Sequence, residues 1–322
     1  MSDSEDLHQP HDKLFIQGFG DPVNAAALLQ TQLPGELAAE IDWKSLRREQ
    51  GSFIDSQFRS SQTDLLFTAQ LAGQRCALYL LFEHQSTPDP WMALRLLRYM
   101  VRIWEAFIAK KTNQPLPVIL PVVLAQNGTR WEVAQQFRDL MDLPTHLEAP
   151  LRTFVPDFRF ALMQLAEMEF GALPGTASGI LILRVMKAER MSDLLNEVVW
   201  DESLITQVPR EFYERVLRYI LAADIDKKDL MERIEALKDP ATRHSAMSVA
   251  QQLRQEGRQE GRQEGALGSL RDSVLDALEL RFDSVPEGLR EAVTALEDVE
   301  QLRALLRRAI QAETLEQFAS AL

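Results

Sequence analysis

The sequence holds a single cysteine, Cys76. One thiol cannot close an internal disulfide or build a cysteine-cluster zinc site, so a reducing cytoplasm is the compartment it fits most simply. Long apolar runs are also missing: no stretch approaches the roughly 20 residues that span a bilayer, and no membrane segment is read. The opening MSDSEDLHQPHDK is acidic and polar where a secretory leader would be basic and then apolar, so export is not expected. Positive charge is scarce, with 35 Lys and Arg against 48 Asp and Glu and a formal net charge of -13. That balance argues against non-specific coating of nucleic acid, which draws its affinity from cations on phosphates. It leaves room for a local basic groove, because charges beyond about 10 Å are mostly screened. Also absent are a P-loop, a nucleophile elbow and a dinucleotide glycine fingerprint, which argues against ATP use, serine-hydrolase chemistry and NAD binding.

What is present is ordinary globular material, 46% hydrophobic and 26% charged over 322 residues, enough for about two domains. Residues 1–10 read as a disordered start. From His11 to Gln32 the pattern predicts a short helix, a turn at Gly20-Asp21-Pro22 and a second helix broken at Pro34-Gly35. Strands are expected near Ser52 to Asp55, Asp64 to Leu71 and Arg75 to Gln85, then a helix from Trp91 to Lys110 and a strand from Val118 to Leu124. The order is α, three β, α, β, in which the three strands can form an antiparallel meander and the helix can cross over to a fourth. Phe158 to Leu165 and Gly179 to Val185 are further strand candidates. The first domain is bounded at residues 11–220. A polar helical linker follows over 221–265, with the unit Arg-Gln-Glu-Gly three times over from Arg254 to Gly265. A small helical domain occupies 266–322, with a break at Pro286.

Gly73-Gln74, between two apolar runs, fits a two-residue type II′ hairpin loop with glycine at its first central position. Ala72 then stands opposite Arg75, Leu65 opposite Phe82, Phe67 opposite Leu80 and Asp64 opposite Glu83, with Gln85 on the same face. Carboxylates paired at about 5 Å repel unless a proton or cation lies between them, and a hard divalent cation with oxygen ligands is the natural solution. The plainer reading is that acidic residues at strand ends merely solvate a sheet edge.

The segments RSSQTDLLF and YLLFEHQSTPDPWMALRLLRYMVRIWE resemble the recombination-promoting nuclease family (Rpn, YhgA-like transposases), a bacterial branch of the PD-(D/E)XK nucleases. HDKLF, the Gly-Asp-Pro turn, PVILPVVLAQNG and DFRF are similar to family segments in the same order, so the resemblance covers about residues 11 to 215. It implies an α/β fold with a PD-(D/E)XK restriction-endonuclease-like core, a mixed αβββαβ sheet flanked by helices, here with an α-helical C-terminal extension. It also implies DNA as partner and a metal-dependent endonuclease that promotes recombination. Asp64 and Glu83 are then ligands of Mg2+ or another divalent cation, with Gln85 completing the catalytic set. Gln85 stands where the superfamily typically has a lysine, which implies a lower rate. Ile16 stands where the family often continues His-Asp-x-x-Phe with lysine, so a phosphate contact is expected to be missing.

Arg95, Arg98 and Arg102 share one helix face, as phosphate contacts or as a solvated stripe on a core helix. His11 and Asp12 are accessory candidates for the metal, or a helix cap. His84 points away from Glu83 and Gln85 by strand alternation, and His8 with His11 has a helical metal-ligand spacing, but Pro10 and the disordered start argue against a zinc site. Gly257, Gly261 and Gly265 recur every fourth residue, which suits a polar helical linker and, more weakly, self-association through the C-terminal helices. The competing functional class is a module that binds DNA or protein on the same fold without cutting.

Overall fold

The computed structural model describes residues 10–49, 64–83, 88–110, 115–126 and 130–320. Three helices come first, α1 (Pro10–Phe19), α2 (Pro22–Gln32) and α3 (Gly35–Glu40). The Gly-Asp-Pro turn separates the first two because Asp21 accepts the Val23 N–H at 2.8 Å and Pro22 enters α2 at a position whose amide needs no partner. Next come β1 (Ile41–Arg48), β2 (Asp64–Leu71) and β3 (Gln74–Glu83), followed by α4 (Met92–Lys110) and β4 (Val118–Ala125). A short α5 (Glu148–Leu151) precedes β5 (Ala161–Gln164). The sheet runs β1-β2-β3-β4-β5, antiparallel through β3 and parallel from β3 to β5. The molecule is thus α/β with a five-stranded mixed sheet flanked by helices.

One sheet face carries Leu66, Ala77, Ile119, Val123, Ala125 and Leu162 and packs with Met92, Leu96, Tyr99 and Ile103 of α4 and with Trp131 and Phe160. Positions 65, 67, 69, 76, 78, 122, 124 and 163 alternate with these and form the other face. There α1 meets β2 and α2 meets β5, and both helices meet α6 (Ala177–Arg190). Phe15 and Phe19 of α1 are fully buried, each contributing about 1.5–3 kcal/mol relative to exposure.

The hairpin differs from the expected one. Its two loop residues are Ala72 and Gly73, at φ 47° and 78°, and Leu71 pairs with Gln74. Two positive φ angles make the turn type I′ rather than II′. Alanine in this region costs roughly 1–2 kcal/mol, and the Ala72 amide is held by the Glu40 carbonyl at 3.0 Å, a contact from outside the hairpin that no local pattern reveals. The register therefore moves by two residues: Leu65 faces Leu80, Phe67 faces Leu78 and Ala69 faces Cys76. A shift of two leaves every residue on its expected face, where a shift of one would have inverted the sheet.

Other expectations change as well. The strand near Ser52 to Asp55 lies outside the described residues, as do residues 1–9 of the expected disordered start; Pro10 opens α1. The edge of the sheet is taken by β1, whose sequence IDWKSLRR buries only Ile41 and Leu46 and whose register breaks between Asp42 and Arg47. Such a polar, irregular edge has no strand-like alternation to read. Gly179 to Val185 lies inside α6, where Thr176 accepts the Gly179 N–H at 3.1 Å and starts a helix buried on several sides. An apolar run of this length does not separate buried strand from buried helix. Phe158 to Leu165 forms a strand only over Ala161–Gln164.

Past α6 the chain is helical: α7 (Glu202–Ile205), α8 (Arg210–Ala222), α9 (Lys227–Glu235), α10 (Pro240–Phe282), α11 (Glu287–Thr294), α12 (Val299–Gln311) and α13 (Leu315–Ala319). Two compact units divide at Met247 and Ser248, inside α10. The repeat lies in this uninterrupted helix, with open space around Gly257, Gly261 and Gly265, although each glycine costs about 1 kcal/mol of helix stability against alanine. The second unit has its own core of Val274, Leu278, Leu302, Leu305 and Phe318. Within it, Arg271 donates to the Leu296 carbonyl at 2.9 Å, and Asp298 caps α12 by accepting from Glu300 N–H at 2.7 Å. No described helix is long and apolar enough to cross a membrane.

Candidate functional site

Asp64 opens β2 and Glu83 closes β3, so both stand at one end of the sheet. The expected direct pairing of Asp64 with Glu83 is not formed, since Asp64 is opposite Leu81. Glu83 is two residues further along β3, on the same face, in the diagonal position. Diagonal positions on neighbouring strands are about 7–8 Å apart rather than the about 5 Å of a direct pair. Gln85 and His84 lie outside the described residues. Among residues whose side chains are described, no cluster of three His, Cys, Asp or Glu is close enough to hold a metal.

Asp12, in the first turn of α1, is only 3% exposed, so it is not a surface cap; His11 precedes it in the same turn. Arg95, Arg98 and Arg102 do lie along one side of α4, Arg95 half-buried and the other two exposed. Arg102 pairs with Glu105 at 3.1 Å, with both side chains about half exposed. Because α4 starts soon after Glu83, Arg95 is nearest the site end, and Arg102 is about 10 Å further along the helix at 1.5 Å per residue.

Sequence reasoning missed the rest of this sheet end. Glu83 is level with Ala125 of β4, and Ala125 with Gln164 of β5. Gln126, just past β4, is 2% exposed and donates to the Met186 carbonyl at 2.7 Å and the Glu189 carboxylate at 3.3 Å. Lys187, 7% exposed, donates from Nζ to the carbonyls of Leu165 at 2.7 Å and Ala166 at 3.1 Å and lies over the Phe170 ring. Burial holds its ammonium below the usual lysine range, only partly opposed by Glu169. For Gln126 the available signal was position, immediately after an apolar strand, where open α/β sheets present their functional groups; Lys187, inside α6, carried no such signal. Cys76 is fully buried, and its thiol is pushed up by desolvation, so it belongs to the core.

The family model described as "Putative transposase, YhgA-like" matches residues 9–215. The chain is 33% identical over 121 residues to recombination-promoting nuclease RpnD of Escherichia coli O157:H7, covering 38% of this chain and 46% of that protein. It is 33% identical over 117 residues to recombination-promoting nuclease RpnC of Escherichia coli K12, covering 36% and 39%. The matched stretch thus spans less than half of either nuclease. A third relative, YjiP of the same strain, is named an inactive nuclease-like protein and is 34% identical over 94 residues, 29% of this chain and 91% of its own. No solved structure matches. With nearly two thirds of its residues under the family model, the chain belongs to the YhgA-like transposase family.

Proposed function

We propose that this chain is a metal-dependent DNA endonuclease that promotes recombination and is built on a PD-(D/E)XK core. The observation that carries the reading is the shared face and shared sheet end of Asp64 and Glu83, in a family whose relatives are named recombination-promoting nucleases. Two carboxylates from adjacent strands are the hard oxygen donors that Mg2+ takes, so the residues fit the ion. Bound there, a divalent cation would acidify a coordinated water and offset charge building on the scissile phosphate. Asp64 and Glu83 fix where the reaction occurs. Gln85 supplies a neutral amide that orients the attacking water by hydrogen bonding, without the charge of the lysine typical of the superfamily. Arg95 and Arg98 are the phosphate contacts nearest the site end, Arg102 the most distant, and Asp12 with His11 supports the site from α1. Self-association through α10 belongs to the same proposal, and an unchanged sedimenting mass on truncation after Ala250 would remove it.

The names of inactive relatives favour one second reading, a DNA-binding module that no longer cuts. Nicking of supercoiled plasmid in magnesium, with parent and Glu83→Ala side by side, decides between them. Cleavage lost in the variant supports the nuclease; DNA bound but uncut by the parent supports the binding module.

A further inference from the structure

The two strand exits beside Glu83 are anchored to one helix. Gln126 ties the end of β4 to α6 through the Met186 carbonyl, and Lys187 of α6 ties the turn after β5 through the carbonyls of Leu165 and Ala166. Arg130 and Trp131 also lie at this edge. There the Gln164 side-chain carbonyl accepts the Trp131 backbone N–H. The indole of Trp131, 2% exposed, is seated in the α4 core layer, on the sheet face that carries positions 64 and 83. Next to that anchor, the Arg130 side chain is 69% exposed, with its Nε 3.2 Å from the Glu167 carboxylate. Glu167 is itself 43% exposed and accepts a long hydrogen bond of 3.4 Å from Gln164.

We propose that Arg130 is a DNA phosphate-binding residue on the rim of the Asp64 and Glu83 site, an inference that rests on the nuclease reading above. Gln164 is two strands from Glu83 in the same row, about 10 Å at the usual strand spacing, so a backbone lying over Glu83 continues past the Arg130 loop. The carboxylates of the site repel phosphate at short range, and a cation at the rim within a screening length offsets that repulsion locally. Guanidinium suits that task because its planar donors grip two phosphate oxygens at once. An ion pair as exposed as Arg130–Glu167 contributes little stability, so phosphate can take the place of Glu167 without unfolding anything. The Trp131 anchor keeps the backbone beside Arg130 fixed while the side chain exchanges partners. This cation stands at the β4–β5 end of the rim, apart from the α4 arginines.

The test uses the full chain as parent, Arg130→Gln and Arg130→Lys. A labelled DNA duplex is titrated in calcium at several salt concentrations, and plasmid cleavage is followed in magnesium. Arg130→Gln is expected to weaken duplex binding about tenfold and to reduce the slope of log affinity against log salt by about one. It should raise KM with little change in kcat and keep the parent melting midpoint, and Arg130→Lys should restore the salt slope and part of the affinity, short of the bidentate contact. Parent affinity and salt slope in Arg130→Gln, with the parent cutting normally, overturns this proposal alone. Equal loss in both variants with a lowered melting midpoint marks a structural role and also overturns it. A parent that neither binds nor cuts DNA overturns the nuclease reading, and this inference with it.

Discussion

At the end of the sheet where β2 begins and β3 stops, Asp64 and Glu83 share a face and the neighbouring strand exits are held by buried Gln126 and Lys187. At the opposite end the chain turns at Ala72 and Gly73, and a cleft of about 800 Å³ opens among Arg47, Thr68, Gln70, Phe107 and Pro117. The first end takes its order from long-range hydrogen bonds, such as Gln126 to Met186 across 60 residues. The second combines a local turn with shorter-range bonds from β1 and the segments flanking it, which join the Glu40 carbonyl to Ala72, Ser45 to Gln70 and Glu49 to Thr68. Buried polar groups cost desolvation unless fully paired, so they are an expensive way to shape a surface that only needs to close. Gln126 and Lys187 hold the strand exits at this end from the α6 face, opposite the face that carries positions 64 and 83.

Breaking the site end should have the largest effect. Asp64→Ala and Glu83→Ala are each expected to lower the plasmid cleavage rate at least about 100-fold, with a melting midpoint no lower than the parent's, since one of two repelling carboxylates is gone. A variant that cuts as fast as the parent would sink the site assignment. Lys187→Met tests the anchoring itself. Leaving the Leu165 and Ala166 carbonyls without their donor should cost about 1–3 kcal/mol in urea unfolding and slow cleavage as well. Unchanged stability would show that the anchor contributes nothing.

Metal addition compares the ends without mutation. Magnesium should raise the parent's melting midpoint by mass action, and chelation should reverse the rise; Glu83→Ala should show neither change. At the turn end, Ala72→Asn should stabilise the protein by about 0.5–1 kcal/mol, because Asn-Gly suits a type I′ turn better than Ala-Gly, and should leave cleavage untouched. Loss of cleavage in that variant would mean the two ends are coupled. The smallest effect concerns Cys76, near the turn on β3: its buried thiol should react with alkylating reagents only after unfolding, as read by mass spectrometry under native and denaturing conditions.

Much of the fold could be read from local pattern. The Asp21 cap with Pro22 marked the start of α2, the apolar runs marked β2, β3 and β4, and alternation along the hairpin put Asp64 and Glu83 on one face. The exact register could not be read. It depends on a positive φ at Ala72, supported by Glu40, and a shift of two residues is invisible to a pattern of period two. Strand β1 has little alternation to read because an edge strand buries little, and Gly179 to Val185 of α6 reads like a strand because burial on several sides erases amphipathic periodicity.

Which residues of the hairpin share a face is legible without the fold, because side-chain alternation is fixed by the backbone of each strand. Only the tertiary structure decided that Asp64 and Glu83 stand diagonally rather than directly opposite. It alone brought Gln126, Arg130, Gln164 and Lys187 to the same sheet end. Parallel pairing of β3, β4 and β5 joins segments dozens of residues apart, and nothing local to any of them encodes which neighbour it will meet.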